Sequence, residues 1–143
     1  MTSFFLPDIN VWLALAYDGH GHHTQASIWY ATLDSGSRLC FCRHTQIGFM
    51  RLMNHPSILG RDARTQLECW SIFYDWIASG RAVFLNEPAA IDERFSELTS
   101  EKSLSPNRWA DMYLAAFAET AGIPLVTFDK ALATKTSVSI LLQ

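Results

Sequence analysis

The sequence has no excess of positive charge. Its 143 residues include 11 lysines and arginines against 14 aspartates and glutamates, which gives a formal net charge of -3 at pH 7. A domain that held nucleic acid only by neutralising phosphates would normally be basic. If this chain acts on RNA or DNA, it must use a local basic patch or a metal ion that bridges carboxylates to phosphate.

Long apolar runs are also missing. Residues 9–16 fall well short of the roughly 20 residues that a membrane span requires, and residues 4–6 are too short, without a basic flank, for the core of a secretory signal. The cysteines Cys40, Cys42 and Cys69 are an odd number and include no CxxC pair. This pattern favours buried thiols in a reducing compartment, so we expect a cytoplasmic protein without a membrane partner.

The chain contains a regular alternation of apolar runs and amphipathic segments, with no repeat, linker or low-complexity block. Its length and its 49% hydrophobic content predict one well-packed domain over residues 1–143. The predicted strands cover residues 3–7, 38–42, 82–85, 123–128 and 137–142. The predicted helices cover residues 11–17, 24–33, 45–53, 61–80, 88–98 and 106–121. Nearly continuous apolar strands that alternate with helices predict an α/β fold, a parallel sheet with helices on both faces.

Polar residues that follow predicted strands are the first candidates for a site, because ligands of parallel α/β sheets bind beyond the carboxyl ends of the strands. Asp8 follows the first strand and Asp129 follows the fourth. Thr127 lies two residues before Asp129, on the same side of its strand. An aspartate at a strand end often caps a loop, so each of the two alone also has a structural explanation.

Asp111 is the third candidate. The predicted helix starts with Ser105 as cap and Pro106 in the first turn, which places Asp111 about two turns in, beyond the reach of capping. The residue four positions on, Ala115, is small and apolar. An ionised carboxylate there is costly unless something compensates it, and the structural alternative is a salt bridge to Arg108 or a cap-like contact.

The three aspartates together are stronger evidence for a functional site than any one of them alone. Two like charges 4 Å apart repel by roughly 4 kcal/mol at an effective dielectric constant near 20. A carboxylate cluster therefore needs raised pKa values or a bound divalent cation, and ligands that are all oxygen favour Mg²⁺ or Mn²⁺ over Zn²⁺. A cation with positions left open for water and phosphate is suited to the hydrolysis of a phosphodiester.

Three segments in order along the chain read FFLPDINVWLALAYDGHGHHTQA, HTQIGFMRLMNHP and ADMYLAAFAETAGIPLVTFDKAL. They resemble the PIN domain and, more narrowly, the VapC-type toxins of toxin–antitoxin pairs, and the resemblance spans essentially the whole chain. It implies a three-layer α/β/α sandwich around a central, mainly parallel sheet. It further implies a Mg²⁺- or Mn²⁺-dependent endoribonuclease that acts on RNA, forms a homodimer and binds a cognate antitoxin, whose C-terminal segment lies over the active site.

The resemblance also assigns residues. The acids of the family fall on Asp8, Asp111 and Asp129, as catalytic and metal-binding residues. Asn10 and Thr127 match positions where the family often has small polar residues that support the site.

One position departs from the family pattern. The remaining acid of the family usually lies in the helix after strand two, where this sequence has Gln46. By helical spacing Gln46 shares a stripe with Phe49, Met50 and Met53, so we expect it to face inward. An amide can hydrogen-bond water or ligate weakly, but it cannot act as a base. The alternative function is therefore a catalytically weak PIN domain that works by binding RNA or a partner protein.

Other polar groups have two interpretations each. The run HGHH (His20, His22 and His23) suggests a metal site, but adjacent residues diverge on a helix and no further cysteine or histidine cluster completes a ligand set. We therefore expect a loop that enters the second helix. Arg51, on the helix that carries Gln46, contacts either a substrate phosphate or an acidic side chain.

The sequence lacks the motifs of two other α/β fold classes. A phosphoacceptor receiver domain would need two carboxylates after strand one and an aspartate after strand three. Here strand one is followed by a single acid and strand three by LNEP. A dinucleotide-binding fold would need a glycine-rich turn after strand one, and PDIN contains no glycine.

Overall fold

The computed structural model describes residues 2–143, which form one five-stranded sheet with helices around it. The strand order is β3-β2-β1-β4-β5, and every neighbouring pair is parallel. The strands are β1 (Ser3–Pro7), β2 (Ser37–Phe41), β3 (Ala82–Phe84), β4 (Leu125–Thr127) and β5 (Ser139–Leu141). The helices are α1 (Ile9–Ala16), α2 (His23–Thr32), α3 (Arg43–Met53), α4 (Pro56–Leu59), α5 (Gln66–Ala78), α6 (Ile91–Leu98), α7 (Arg108–Ala121) and α8 (Lys130–Ala133), with a 3₁₀ turn at Gly60–Asp62.

Each face of the sheet has its own apolar core. On one face, Leu6 and Cys40 belong to a buried cluster with Phe117 of α7. On the other, Phe41 stacks on Trp12 of α1, with ring centroids 3.7 Å apart and planes 8° from parallel, and Leu39 packs in the same cluster. Because successive strand residues point to opposite faces, the apolar runs fill both cores. The predicted three-layer α/β/α sandwich is confirmed.

The sheet order positions the site. From β1 the chain builds β2 and β3 on one side, and β4 and β5 lie on the other. The backbone N–H of Asp8 donates to the carbonyl of Val126 at 2.9 Å, so the carboxyl ends of β1 and β4 are adjacent. A change of direction in strand order leaves a crevice at this edge, where parallel α/β sheets bind their ligands.

The helix predicted over residues 61–80 starts later and is preceded by separate turns. Residues 61–65 are not part of it, because Thr65 caps α5. The Thr65 hydroxyl accepts a hydrogen bond from the N–H of Glu68 at 3.1 Å, and the Glu68 carboxylate accepts one from the N–H of Thr65 at 3.0 Å. This capping box satisfies two backbone donors that a continuous helix would have paired internally.

The last long helix also starts later than predicted. It begins at Arg108, with Asn107 as its N-cap, rather than at Pro106. Asp111 therefore lies in the first turn of α7 and not two turns in, so its carboxylate is near the positive end of the helix dipole.

The remaining differences are shifts of element ends and two short helices, α4 and α8, that the sequence pattern did not predict. Both predicted C-terminal strands are longer than β4 and β5, and α6 begins three residues after residue 88. The three cysteines are free and buried, as predicted. Within the described residues no helix is long and apolar enough to cross a membrane.

Candidate active site

An open cleft of about 360 Å³ lies at the carboxyl edge of β1 and β4. Asp8, Asp111 and Asp129 all line it, although they are far apart in the sequence. Asn10 and Arg51 line it as well, and both are exposed. The structure thus brings together five of the seven residues that the sequence and the resemblance predict for the site.

Asp8 is the most buried of the three acids, with 8% of its surface exposed. Its Oδ1 accepts a hydrogen bond from the N–H of Val11 at 3.0 Å, which caps α1, and its Oδ2 accepts one from the hydroxyl of Thr127. Burial raises the pKa of Asp8, the two hydrogen bonds lower it, and the charges of Asp111 and Asp129 raise it again. The net pKa is above the ordinary value, so the ionised form of Asp8 is costly in the folded chain.

Thr127 does not line the cleft but connects two of its acids. Its side chain is fully buried. While its hydroxyl donates to Asp8, its oxygen accepts from the backbone N–H of Asp129 at 3.0 Å. The Oδ1 of Asp129 then caps α8 by accepting from the N–H groups of Ala131 and Leu132, at 2.9 and 3.1 Å. Thr127 therefore fixes the relative position of the two strand-end carboxylates.

Asp111 is half-buried and faces the other two acids from α7. Burial and the charge of Asp129 raise its pKa, and His44 lowers it. The predicted alternative of a salt bridge to Arg108 is wrong, because the guanidinium of Arg108 pairs with Glu101. Asp111 is therefore left without that compensating charge.

The three carboxylates suit a hard divalent cation by donor type, because oxygen atoms are the ligands that such ions prefer. Within residues 2–143 none of the three carboxylates forms a salt bridge. Across the same described residues, no three acidic, imidazole or thiol side chains are close enough together to hold an ion as they stand. The three carboxylates that line the cleft thus supply the donor type for a cation but not a closed set of ligands.

Gln46 lies outside this cleft. It is buried, as its helical stripe predicts, with 3% of its surface exposed. Its side-chain oxygen accepts a hydrogen bond from the guanidinium of Arg43, and it lines a separate concavity with Trp70 and Phe84. On α3 the residues that line the cleft are His44, Arg51 and Leu52, whereas Gln46 is rotated about 200° from His44 at roughly 100° per residue. The geometry gives no support to a role for Gln46 beside the acids.

Gly48 occupies the turn of α3 between His44 and Arg51, where α3 meets α1. A Cβ atom at this position would lie 2.2 Å from Cδ1 of Ile9. Ile9 directly follows Asp8 and lines the cleft. The absence of a side chain at Gly48 therefore lets α3 approach the helix that Asp8 caps.

Sequence reasoning gave no role to Phe128, which lies between Thr127 and Asp129 and lines the cleft. His44, for which the sequence left open either a contact with RNA or a chance position, lines the cleft as well. His44 is half-buried, and burial lowers its pKa while Asp111 raises it. The signal for Phe128 was its place in the sequence, since residues next to a strand-end acid lie at the same edge of the sheet.

The fold and the cleft define an α/β/α domain with three aspartates at its strand switch point. A family model described as PIN domain matches residues 5–136, and the chain belongs to this family. Over 130 residues it is 36% identical to ribonuclease VapC41 of Mycobacterium tuberculosis, an alignment that covers 88% of this chain and 89% of the relative.

Solved structures agree on the fold. The VapBC2 structure from Rickettsia felis, bound to a DNA fragment from its promoter, has a chain that matches with a TM-score of 0.71 at 11% identity, over 98% of this chain and 99% of its own. VapC20 of Mycobacterium tuberculosis, a toxin that cleaves the sarcin–ricin loop, matches with a TM-score of 0.65 at 16% identity, over 92% and 94%. At these identities the likeness concerns the fold alone.

Proposed function

We propose that this protein is a metal-dependent endoribonuclease and the toxin of a toxin–antitoxin pair. The observation that carries the proposal is the cleft that Asp8, Asp111 and Asp129 all line, where burial and the charges of neighbouring aspartates raise the pKa values of Asp8 and Asp111. Such carboxylates are poised for a divalent cation, since perturbed groups that share a cleft are typical of functional sites. The name of the relative VapC41, a ribonuclease, supports RNA as the substrate.

In the proposed mechanism Asp8, Asp111 and Asp129 would hold Mg²⁺ or Mn²⁺, directly or through water. When bound, the cation supplies Lewis acidity toward a water molecule and a phosphate of RNA. Val11 and Thr127 keep the Asp8 carboxylate in a fixed orientation through their hydrogen bonds.

Two exposed side chains of the cleft complete the proposal. The guanidinium of Arg51 binds a substrate phosphate, for which its planar donors are suited. The amide of Asn10 supplies a further hydrogen-bonding group beside the acids. Both line the same cleft as Asp8.

We further propose a cognate antitoxin and a homodimer as protein partners. Apolar side chains of α5 remain exposed on the surface, with 78% of Leu67, 42% of Trp70 and 59% of Tyr74 accessible. An apolar patch of this kind is typical of a surface that another protein covers. The match to the VapBC2 structure, whose name pairs VapB with VapC, supports an antitoxin partner.

RNA cleavage by the purified protein tests the proposed activity. We expect cleavage with Mn²⁺ and none in EDTA, and the Asp8→Asn variant should be inactive even with Mn²⁺. Asp92→Asn, which removes an exposed carboxylate of α6, is the matched control and should cleave like the wild type. Equal cleavage in EDTA, or by Asp8→Asn, would refute the mechanism.

A further inference from the structure

Three aromatic rings follow one another outward from the acid cleft. Phe128 lines the cleft and directly precedes Asp129. The imidazole of His22 stacks on Phe128, with centroids 4.5 Å apart and planes 19° from parallel. The ring of His20 follows at 5.9 Å from His22, with planes at 42°. The residues come from opposite ends of the chain, so the fold, and not local sequence, makes this row.

The loop that carries the two histidines is fixed by several hydrogen bonds. The Nδ1 of His20 accepts from the backbone N–H of His22 at 3.0 Å, and the N–H of His20 donates to the carbonyl of Tyr17 at 3.1 Å. The Nδ1 of His23 lies 2.7 Å from the carbonyl oxygen of Ala14, which attaches the loop to α1. His22 is therefore held beside Phe128 by its backbone.

The imidazole of His22 makes no polar contact that would explain its position among the described residues. It is exposed, and no hydrogen bond to its ring is found within residues 2–143. Phe128 is only half-buried. Two parallel rings beside a cleft suited to phosphate chemistry, one exposed and one half-buried, have the features of a surface onto which a nucleobase stacks.

We propose that Phe128 and His22 form a stacking platform for an unpaired base of the RNA, next to the phosphate that is cleaved. The inference rests on the proposed function and specifies how the site takes its substrate. Because Phe128 adjoins Asp129, the stacked base belongs to a nucleotide near that phosphate. Every base has an aromatic face, so the platform selects single-stranded RNA and not one particular base.

Binding of RNA without cleavage tests the platform. The probe is an end-labelled, mixed-sequence, single-stranded RNA in EDTA, together with copies in which one nucleotide at a time lacks its base. For the wild type we expect one position near the cleavage point where loss of the base weakens binding roughly 5- to 100-fold. His22→Ala and Phe128→Leu should bind the intact RNA more weakly by a similar factor and should be indifferent to loss of that base.

Two further variants separate stacking from general damage. His22→Phe keeps a ring without an imidazole and should restore both the affinity and the sensitivity to the missing base. Phe4→Leu removes a partly exposed ring at the opposite end of β1 (38% exposed) and should leave binding unchanged. Thermal unfolding of each variant reports whether it is folded. If the rings had only a structural role, their loss would lower the unfolding temperature and would not change which missing base weakens RNA binding.

The outcomes for the platform and for the proposed function are distinct. Suppose that the wild type cleaves RNA, but that His22→Ala and Phe128→Leu bind intact RNA as tightly as the wild type or remain as sensitive to the missing base. The platform is then refuted and the proposed function stands. If both variants lose the sensitivity to a missing base but the wild type does not cleave with Mn²⁺, the function is refuted and the stacking of an RNA base on the platform stands. Absence of any RNA binding by the folded wild type refutes both.

Discussion

Asp8 has a structural role as the cap of α1 and a proposed role as a metal ligand. The residue caps α1 through the N–H of Val11 and is bonded to Thr127, yet burial raises its pKa above the ordinary 3.8. The folded chain therefore binds a proton at Asp8 more tightly than the unfolded chain does. Stability from this group is fully present below about pH 4 and is lost as the pH rises through the folded pKa. Above that pKa the ionised Asp8 opposes folding.

The variant Asp8→Asn should accordingly unfold at a higher temperature than the wild type at pH 7 in EDTA. The amide oxygen still accepts from Val11, and the amide group can still pair with Thr127, so mainly the charge is removed. The gain should shrink as the pH is lowered toward about 4, where the wild-type carboxylate is protonated as well. Thermal unfolding over a pH series measures this, with Asp92→Asn as the exposed control. A lower unfolding temperature for Asp8→Asn at pH 7 would contradict the argument.

Gln46 is the residue whose sequence interpretation the structure changes most. The departure from the family acid suggested a weakened site, but the Gln46 side chain pairs with Arg43 away from the cleft. We expect Gln46→Glu to leave RNA cleavage within a factor of about two of the wild type, because the new carboxylate would pair with Arg43. Initial rates with Mn²⁺ measure it. A large gain in rate would instead favour the alternative of a catalytically weak domain with a missing acid.

At the scale of the elements, the contact between α1 and α3 depends on Gly48. Alanine usually favours a helix over glycine by about 1 kcal/mol. Here its Cβ would meet Ile9 at 2.2 Å, and overpacking of that kind typically costs about 1–3 kcal/mol. Gly48→Ala should therefore lower the unfolding temperature. Ile9→Ala removes the obstruction, so Gly48→Ala in that background should raise the unfolding temperature. A loss of the same size in both backgrounds would show that Ile9 is not the cause.

Element types were predictable from the sequence because the apolar pattern reports which faces are buried, and β1 and β2 fill both cores as their nearly continuous apolar runs require. Helix starts were less predictable, because they depend on which side chain satisfies the first free N–H groups. Ser105 and Pro106 have the composition of a helix start, yet α7 begins at Arg108. Likewise Thr65 caps α5 inside a segment that reads as one long helix.

The site was predictable for a reason of topology. Residues at the carboxyl ends of parallel strands share one edge, so Asp8 and Asp129 could be placed together without coordinates. Which face of α3 meets the cleft could not be predicted, because helical periodicity separates buried from exposed residues but does not distinguish two buried surfaces. Gln46 is buried in one of them and Gly48 in the other.

For the whole molecule, metal binding and folding should be linked. The carboxylates of Asp8, Asp111 and Asp129 repel one another in the folded chain, and a cation that binds only the folded state would relieve this and stabilise it. At a concentration about 100 times the dissociation constant the gain is roughly 2.7 kcal/mol. We expect Mn²⁺ to raise the unfolding temperature of the wild type by several degrees, and more strongly at pH 7 than at pH 5, because the ligands must be deprotonated.

The same titration assigns the effect to the cleft. Asp8→Asn and Asp111→Asn should lose most of the response to Mn²⁺, whereas Asp92→Asn should keep it, because Asp92 lies on the surface of α6. The two cleft variants should nevertheless be more stable than the wild type in EDTA. Each replaces a carboxyl group whose pKa is raised by burial, and whose ionised form therefore opposes folding, with a neutral amide. This reversal, higher stability without metal and lower stability with it, distinguishes a metal site from three aspartates that have only structural roles. Equal responses of all four proteins would mean that Mn²⁺ binds elsewhere on the surface.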